Sequence, residues 1–139
     1  MTEQEINRAL NCYKKYKAYF VGVDDQQKKE FKDAKCVLLI SVGQQYHEGE
    51  KFNASIKLVN KHFSFCNILV GDTLQRHTLR INHPDISVSD SYYLAKNSGE
   101  MWIERNMQYI STLTIPHKIS RWDEWINYSA PRDRVLEQG

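Results

Sequence analysis

Residues Leu38–Glu48 read LLISVGQQYHE, and this stretch decides the fold because an apolar run stops at Ser41 and passes at once into a polar loop. The run Cys36–Ile40 is continuously apolar, which predicts a strand covered on both faces in a parallel sheet. Gly43 gives the following loop conformational freedom. A hydroxyl at the carboxyl end of a strand lies where open α/β sheets bind ligands, so Ser41 is the first candidate nucleophile.

A helix and a second strand follow this loop. From Glu50 the apolar residues fall four, three and four positions apart, the spacing of one face of an amphipathic helix. They are Phe52, Ile56, Val59 and Phe63. Phe65–Val70 is the next apolar run and ends at Gly71–Asp72. Strand, helix and strand in this order predict a βαβ unit with parallel strands and a right-handed crossover.

The rest of the chain predicts one α/β domain over residues 1–139, without a linker or an internal repeat. The other predicted elements are a capped helix Thr2–Tyr19 with Thr2 and Glu5 as its capping box, a strand Phe20–Val23, a helical connector Asp24–Lys35, a helix from a Thr73 cap to Leu79, a loop Asn82–Ser89, a helix Asp90–Leu113 bent near Ser98–Gly99, a strand His117–Arg121, a helix Trp122–Tyr128 and a frayed tail Ala130–Gly139. One face of the long helix is expected to carry Tyr93, Ile103, Met107 and Ile110.

Composition points to an ordered protein of the cytoplasm. Hydrophobic residues make up 41% and charged residues 26% of the chain, which excludes extensive disorder. The three cysteines, Cys12, Cys36 and Cys66, form no CxxC pair and are expected to be buried thiols in a reducing compartment. The start, TEQEINRAL, is acidic where a signal peptide is basic, and no apolar run reaches the ~18 residues of a membrane helix.

Positive charge is concentrated in one part of the chain, although the net charge is only +2. Between positions 51 and 80 the cationic residues are Lys51, Lys57, Lys61, Arg76 and Arg80. Asp72 alone opposes them. The stretch is either a surface that faces phosphates or a solvated helix face.

The residues near Ser41 leave several chemical roles open. Leu39 and Gly43 flank Ser41, so the first glycine of a GxSxG elbow is absent, which argues against an α/β-hydrolase. A serine here is also a common turn cap. Gln44 offers an uncharged amide donor. His47–Glu48 is either an acid/base or metal pair, without the HExxH pattern, or a loop-tip pair that fixes the turn.

A second polar segment, DTLQRH, follows the second strand and converges on the same sheet edge. Asp72 either caps the helix amides or binds a ligand amine, and Arg76 faces a phosphate or an acidic neighbour. Neither strand is followed by GxGxxG or a P-loop, so no dinucleotide or nucleoside triphosphate is expected. Trp102, Trp122 and Trp125 are interpreted as core residues.

Three separated blocks, ISVGQQYHEGEKF, GDTLQRH and GEMWIERN, together resemble the cyclodipeptide synthases, and within them the XYP branch. The resemblance covers Cys36 to Tyr128. It implies a Rossmann-like α/β fold, a three-layer parallel sheet with flanking helices, similar to the catalytic domains of class I tyrosyl- and tryptophanyl-tRNA synthetases. It also implies two aminoacyl-tRNAs as substrates, no cofactor and no metal.

By this resemblance Ser41 receives the first aminoacyl group, and Gln44 matches a position that is asparagine in the other main branch. The implied reaction is ping-pong acyl transfer through an aminoacyl-serine, which yields a diketopiperazine. The resemblance implies a substrate pocket with Leu39, Gly43, Gln44 and Asp72, and tRNA contacts by Lys51, Lys57, Lys61, Arg76 and Arg80.

The sequence departs from the family pattern in two places. Leu39 stands where the family commonly has glycine, and no Tyr-Pro dipeptide occurs in the chain. Tyr46 and Glu50 have the spacing of the family's tyrosine and glutamate but lie in the first loop. The chain therefore looks like the N-terminal part of a synthase, either a fragment or a naturally shortened relative, and is expected to be catalytically incomplete alone. The alternatives are a noncatalytic aminoacyl-tRNA-binding module and a small Ser41 hydrolase, which lacks an identifiable Ser/His/Asp arrangement.

Overall fold

The computed structural model describes residues 2–4 and 16–127. The elements in chain order are α1 (Asp25–Glu30), β1 (Lys35–Ile40), α2 (Gly49–His62), β2 (Phe65–Val70), α3 (Arg76–Asn82), α4 (Val88–Ile110) and β3 (His117–Arg121). Short 3-10 turns lie at Phe31–Asp33, Gln45–His47 and Thr73–Gln75, and residues 122–127 are helical. None of the helices in this described part is long and apolar enough to cross a membrane.

The three strands form one parallel sheet with β2 in the centre, in the order β1-β2-β3. Ile68 of β2 pairs with Leu38 on one side and with Ile119 on the other. The carboxyl ends of parallel strands meet at one edge, here called the carboxyl edge, so Ser41 after β1 and Asp72 after β2 both lie there. The structure confirms the predicted open α/β fold with helices flanking a parallel sheet.

The core lies between one face of the sheet and the helices α2 and α4. Ile40 and Ile68 of the sheet, Phe52 and Ile56 of α2, and Trp102 of α4 are all 1% exposed or less. The ring centroids of Phe52 and Trp102 lie 4.9 Å apart in an edge-to-face arrangement. Each large apolar side chain buried here contributes about 1.5–3 kcal/mol to folding, so Phe52 and Ile56 hold α2 against the sheet.

The expectation that β1 is covered on both faces is wrong. Val37 and Leu39 are 55% and 49% exposed, whereas Asn67 and Leu69 on the same face of β2 are buried. β1 is an edge strand of the sheet formed by the described residues, and only the central strand is covered on both sides. A continuous apolar run does not distinguish these two positions in a sheet.

The N-terminal region differs from its prediction. The segment Phe20–Val23 is not a strand, because residues 21–22 form a bend in which Gly22 has a φ of +72°. The ring of Phe20 instead packs on Phe31 and Phe63, at centroid distances of 5.3 and 6.1 Å. In the predicted helix at residues 2–19, residues 3–4 are helical and 16–19 are not. The rest of that helix, Cys12 and the predicted tail at 130–139 lie outside the described residues.

Two predicted helix starts differ from the structure. Asp72, not Thr73, caps the turn after β2, and α3 ends at Asn82 rather than Leu79. The long helix α4 begins at Val88, where the Ser87 hydroxyl accepts a hydrogen bond from the Asp90 amide at 3.0 Å. It ends at Ile110 rather than residue 113.

The predicted face of α4 coincides with the buried face only in part, since Ile110 is buried and Ile103 packs against the core. Tyr93 is 64% exposed and Met107 is 39% exposed. The other buried residues of the helix are Ser91, Ala95, Gly99, Trp102 and Asn106. The helix passes through residues 98–99 without interruption. Small and polar residues carry little hydrophobic signal, so periodicity alone found only Ile110 among the six buried positions.

Candidate functional site

The loop after β1 is a tight turn that begins at Ser41. The Ser41 carbonyl accepts a hydrogen bond from the Gln44 amide at 3.2 Å. Gly43, the third residue of the turn, has a φ of +97°, a conformation that glycine adopts without a steric penalty. Gly43 therefore provides the conformational freedom that the sequence predicts, and it directs the chain back toward the sheet.

His47 closes this loop onto Ser41. The Ser41 backbone amide donates a hydrogen bond to Nδ1 of His47 at 2.8 Å. The imidazole thus contacts the Ser41 backbone through Nδ1 and fixes the turn. This arrangement agrees with the interpretation of residues 47–48 as a pair that fixes the loop.

Helix α4 anchors the far end of the loop. The indole Nε1 of Trp102 donates to the His47 carbonyl at 2.6 Å. The Asn106 amide oxygen accepts from the Gly49 backbone at 3.1 Å, and its nitrogen donates to Glu48 Oε1 at 3.0 Å. Trp102 is fully buried, as predicted for a core residue, but it also holds the loop.

The carboxylate of Glu48 completes this anchor. Arg105 pairs with it at 2.9 Å, and the hydrogen bond from Arg105 lowers the pKa of Glu48 below its usual value. The sequence pointed to GEMWIERN only as part of a resemblance. The structure shows that Trp102, Arg105 and Asn106 of this block all contact the Ser41 loop. Arg105 and Asn106 lie three and four residues after Trp102, a spacing that places all three on one side of a helix and could have indicated a shared contact from the sequence.

A cavity of about 360 Å³ lies beside the loop. Its lining residues are Tyr16, Gly43, Gln44, Gln45, Glu48, Glu50 and Lys51. Gly43 and Gln44, two of the predicted pocket residues, therefore line a common cavity, whereas Leu39 and Asp72 are not among its lining residues. The Lys51 ammonium lies over the Tyr16 and Tyr46 rings, 5.5 and 5.6 Å from their centroids.

Asp72 is buried at the ends of β2 and β3, with only 1% exposure. Its carboxylate accepts hydrogen bonds from the Thr73 amide at 2.8 Å and from Arg121 Nε at 2.6 Å. A Cβ on Gly99 would lie 2.3 Å from the Asp72 Cβ, so α4 approaches this carboxylate closely because residue 99 is glycine. The capping role predicted for Asp72 is present, and a ligand amine would have to displace Arg121 to reach the same oxygens.

A second carboxylate, Asp123, extends this cluster. It accepts hydrogen bonds from the hydroxyls of Thr73 at 2.7 Å and Tyr92 at 2.6 Å. The hydrogen bond to Asp123 raises the pKa of Tyr92. The Arg76 guanidinium lies over the Tyr92 ring, 6.0 Å from its centroid, which places Arg76 next to the carboxyl edge.

The structure divides the basic stretch among three places. Lys51 lies beside the Ser41 loop, and Arg76 and Arg80 lie on α3. Lys57 and Lys61 of α2 line a separate cavity of about 370 Å³. The other residues lining it are Tyr16, Lys17, Ala18, Tyr19, Phe20, Lys28, Ala54, Leu58 and His62.

Lys28 was missed because it lies in a polar helix, far from residues 57–61 in the chain. Burial first, and then the nearby charges of Lys61, Lys28 and Lys32, lower the pKa of His62. Positive charge from two helices thus converges on this second cavity.

The fold and the site together define a Rossmann-like α/β domain with a serine turn at the carboxyl edge of its parallel sheet. The chain is similar to a solved cyclodipeptide synthase (CDPS) from Fluoribacter dumoffii, with 42% identity and a TM-score of 0.78. The match covers 88% of this chain and 56% of that one. The comparison confirms that the chain is related to the cyclodipeptide synthases, the family that the sequence resembles.

Two more distant structures share the fold. One is a cyclo(L-leucyl-L-phenylalanyl) synthase, with 13% identity, a TM-score of 0.62 and coverage of 81% of this chain and 51% of that one. The other is a cyclodipeptide synthase from Candidatus Glomeribacter gigasporarum bound to Phe-tRNAPhe, with 21% identity, a TM-score of 0.58 and coverage of 96% and 55%. The chain spans about half the length of these solved relatives. No protein-family model and no curated protein matches it.

Proposed function

We propose that this chain is an aminoacyl-tRNA-dependent acyltransferase, which forms an aminoacyl ester on Ser41 as the first step of cyclodipeptide synthesis. The observation that carries the proposal is the position of Ser41 in a held turn at the carboxyl edge, in a chain 42% identical over 88% of its length to a CDPS. The tRNA ester is already activated, so the reaction needs no cofactor.

The first step is a transesterification. The Ser41 hydroxyl oxygen attacks the carbonyl carbon of the ester that joins the amino acid to the terminal ribose of the tRNA. A new ester bond forms to Ser41 Oγ, and the bond between the carbonyl carbon and the ribose oxygen breaks. The serine proton ends on the ribose hydroxyl, so atoms and electrons balance without an oxidant.

The second half uses another aminoacyl-tRNA. The amine of the aminoacyl-enzyme attacks the second ester, which forms a peptide bond, releases the tRNA and leaves a dipeptidyl-Ser41. The free amine of the dipeptide then attacks the Ser41 ester, and the diketopiperazine leaves as the serine hydroxyl is restored. We expect the 139-residue chain to stop at the aminoacyl ester, because no Tyr-Pro segment is present to help position the amine.

The tRNA contacts proposed for the basic residues fit their placement. Lys51 lines the same cavity as Gly43 and Gln44, which lie two and three residues after Ser41. Arg76 and Arg80 on α3 extend from the same carboxyl edge, and the Lys57–Lys61 cavity gains Lys28 from α1. Positively charged side chains spread over several separate places can contact the phosphates of an extended RNA backbone, whereas a single small anion would be bound at one place.

Covalent labelling tests the nucleophile. Wild-type chain incubated with radiolabelled aminoacyl-tRNA acquires label on the peptide that contains Ser41, Ser41→Ala acquires none, and the exposed-serine control Ser98→Ala labels like wild type. Equal labelling of Ser41→Ala contradicts the assignment. tRNA binding without labelling of the wild type favours the noncatalytic aminoacyl-tRNA-binding module.

Charge reversal tests the tRNA surface. The triple variant Lys57→Glu, Lys61→Glu, Arg76→Glu is expected to bind tRNA at least about tenfold more weakly, with a shallower dependence on salt, because fewer counterions are released. The exposed Lys118→Glu on β3 is the control for a general change of charge. Unchanged affinity of the triple variant, or wild-type binding that ignores salt, would make this surface a solvated one.

A further inference from the structure

The hydrogen bond between Ser41 and His47 suggests a role for His47 in catalysis. This inference rests on the proposed acyl transfer to Ser41. We infer that His47 is a positioning residue, whose imidazole holds the Ser41 backbone, and with it the hydroxyl, in the geometry required for attack. The contact is direct, with 2.8 Å between the Ser41 amide nitrogen and His47 Nδ1.

The direction of this bond fixes the state of the imidazole. A backbone amide only donates, so Nδ1 must accept with its free lone pair. The ring is then neutral and carries its proton on Nε2. Because Nδ1 is occupied by the amide, this nitrogen cannot take the proton of the Ser41 hydroxyl. The role of His47 is to place the nucleophile.

The position of His47 is itself determined by the core. The Trp102 indole donates to its carbonyl at 2.6 Å, and Trp102 is fully buried between α2 and the sheet. On the other side of the loop, Asn106 binds the amide of Gly49 at 3.1 Å. A continuous set of contacts therefore runs from the buried face of α4 through His47 to Ser41.

Ser41 needs such an external support because of its place in the chain. It is the first residue after β1, whose pairing with β2 ends at Ile40, and the turn that follows bends at Gly43. An error of about 1 Å in the position of a reacting group can reduce a rate about 100-fold. The His47 bond removes this freedom from the backbone that carries the hydroxyl.

Three substitutions at His47 separate positioning from simple packing. His47→Asn places Oδ1 close to where Nδ1 stands and keeps an acceptor for the Ser41 amide. His47→Gln moves the acceptor farther out, and His47→Ala removes it. We expect aminoacyl-Ser41 formation to remain within about threefold of wild type for the Asn variant and to fall about 100-fold for the Ala and Gln variants. The exposed-histidine control His83→Ala should label like wild type.

Two measurements on the free protein test the contact apart from the reaction. Nitrogen NMR of the imidazole should show an unprotonated Nδ1 and a protonated Nε2 for His47. Exchange of the Ser41 amide hydrogen should be slow in wild type and His47→Asn and fast in His47→Ala. Circular dichroism identifies a variant that does not fold, in which case the Asn and Gln pair decides the question.

The outcomes distinguish this inference from the proposed function. A protonated Nδ1, a rapidly exchanging Ser41 amide in wild type, or equal labelling rates for the Asn and Ala variants overturns the role of His47. Absence of label on wild type, with the slow Ser41 amide and the Nε2 tautomer present, refutes the proposed acyl transfer and supports the His47–Ser41 contact.

Discussion

The two halves of α4 anchor the carboxyl edge by different means. Its first half packs on an ion pair between Asp72, which follows β2 and is 1% exposed, and Arg121 of β3. Gly99 lies against the Asp72 side chain, and the Lys96 carbonyl accepts a hydrogen bond from Arg121. Its second half holds the Ser41 loop mainly with neutral hydrogen bonds from Trp102 and Asn106. Breaking a buried charge pair costs far more than losing a neutral bond, so we expect changes beside the first half to affect stability most and changes in the second half to affect the geometry of the loop.

The largest effect is expected at Asp72. Asp72→Ala leaves Arg121 without its buried partner and uncaps the Thr73 turn, so the free energy of unfolding should fall by about 3 kcal/mol. Urea unfolding measures the change, and Asp85→Ala on the exposed loop is the control. A decrease in the free energy of unfolding of less than about 1 kcal/mol would show that this ion pair contributes no more than a surface pair. The contrast between the two halves of α4 would then be lost.

Gly99→Ala tests how closely the first half of α4 approaches the ion pair. The new methyl group would stand 2.3 Å from the Asp72 Cβ, and the required shift should cost about 2 kcal/mol even after the ~1 kcal/mol gain in helix propensity. The adjacent, exposed Ser98→Ala is a matched control that should leave stability nearly unchanged. Equal melting temperatures for the two variants would mean that α4 and Asp72 separate without cost.

Asn106→Ala tests how the second half of α4 holds the Ser41 loop. It removes the acceptor of the Gly49 amide and one donor to Glu48, so the expected loss of stability is about 1.5 kcal/mol. The aminoacylation rate of Ser41 should fall more than this stability change explains, because the loop is no longer held. Asn97→Ala, on the exposed face of α4, is the control for both readouts. An unaffected rate would separate the loop anchor from the chemistry.

The smallest effect concerns pH and the exposed pair of Glu48 and Arg105. Because Arg105 lowers the pKa of Glu48 in the folded state, its stabilising effect is complete above the ordinary glutamate pKa of about 4.3 and is lost as pH falls through the folded value. The difference in unfolding free energy between wild type and Glu48→Gln should therefore be largest near neutral pH and vanish in acid. Both side chains are well exposed, so the difference should stay below about 1 kcal/mol. A difference that grows in acid would contradict the assignment.

Elements with strong periodicity were predicted closely, and those shaped by distant contacts were not. The strand over residues 36–40 and the strands Phe65–Val70 and His117–Arg121 agree with the structure to within one residue. The predicted face of α4 shares only Ile110 with the buried positions, because several of the others are serine, alanine, glycine and asparagine, whose burial follows from what they contact. Gly99 is the clearest example, since only the position of Asp72 explains it.

The sequence by itself determined the parallel α/β arrangement and brought Ser41 and Asp72 to one edge, because apolar runs and chain order set which strands pair and where they end. It also indicated the relation to the cyclodipeptide synthases. Only the tertiary structure decided that Asp72 is enclosed by Arg121 and that His47 holds Ser41. The Asp72–Arg121 contact joins positions 49 residues apart, and the His47 bond depends on Trp102, 55 residues away. Local propensities carry no information on contacts of this kind, because they form only when the core brings the helices and loops together.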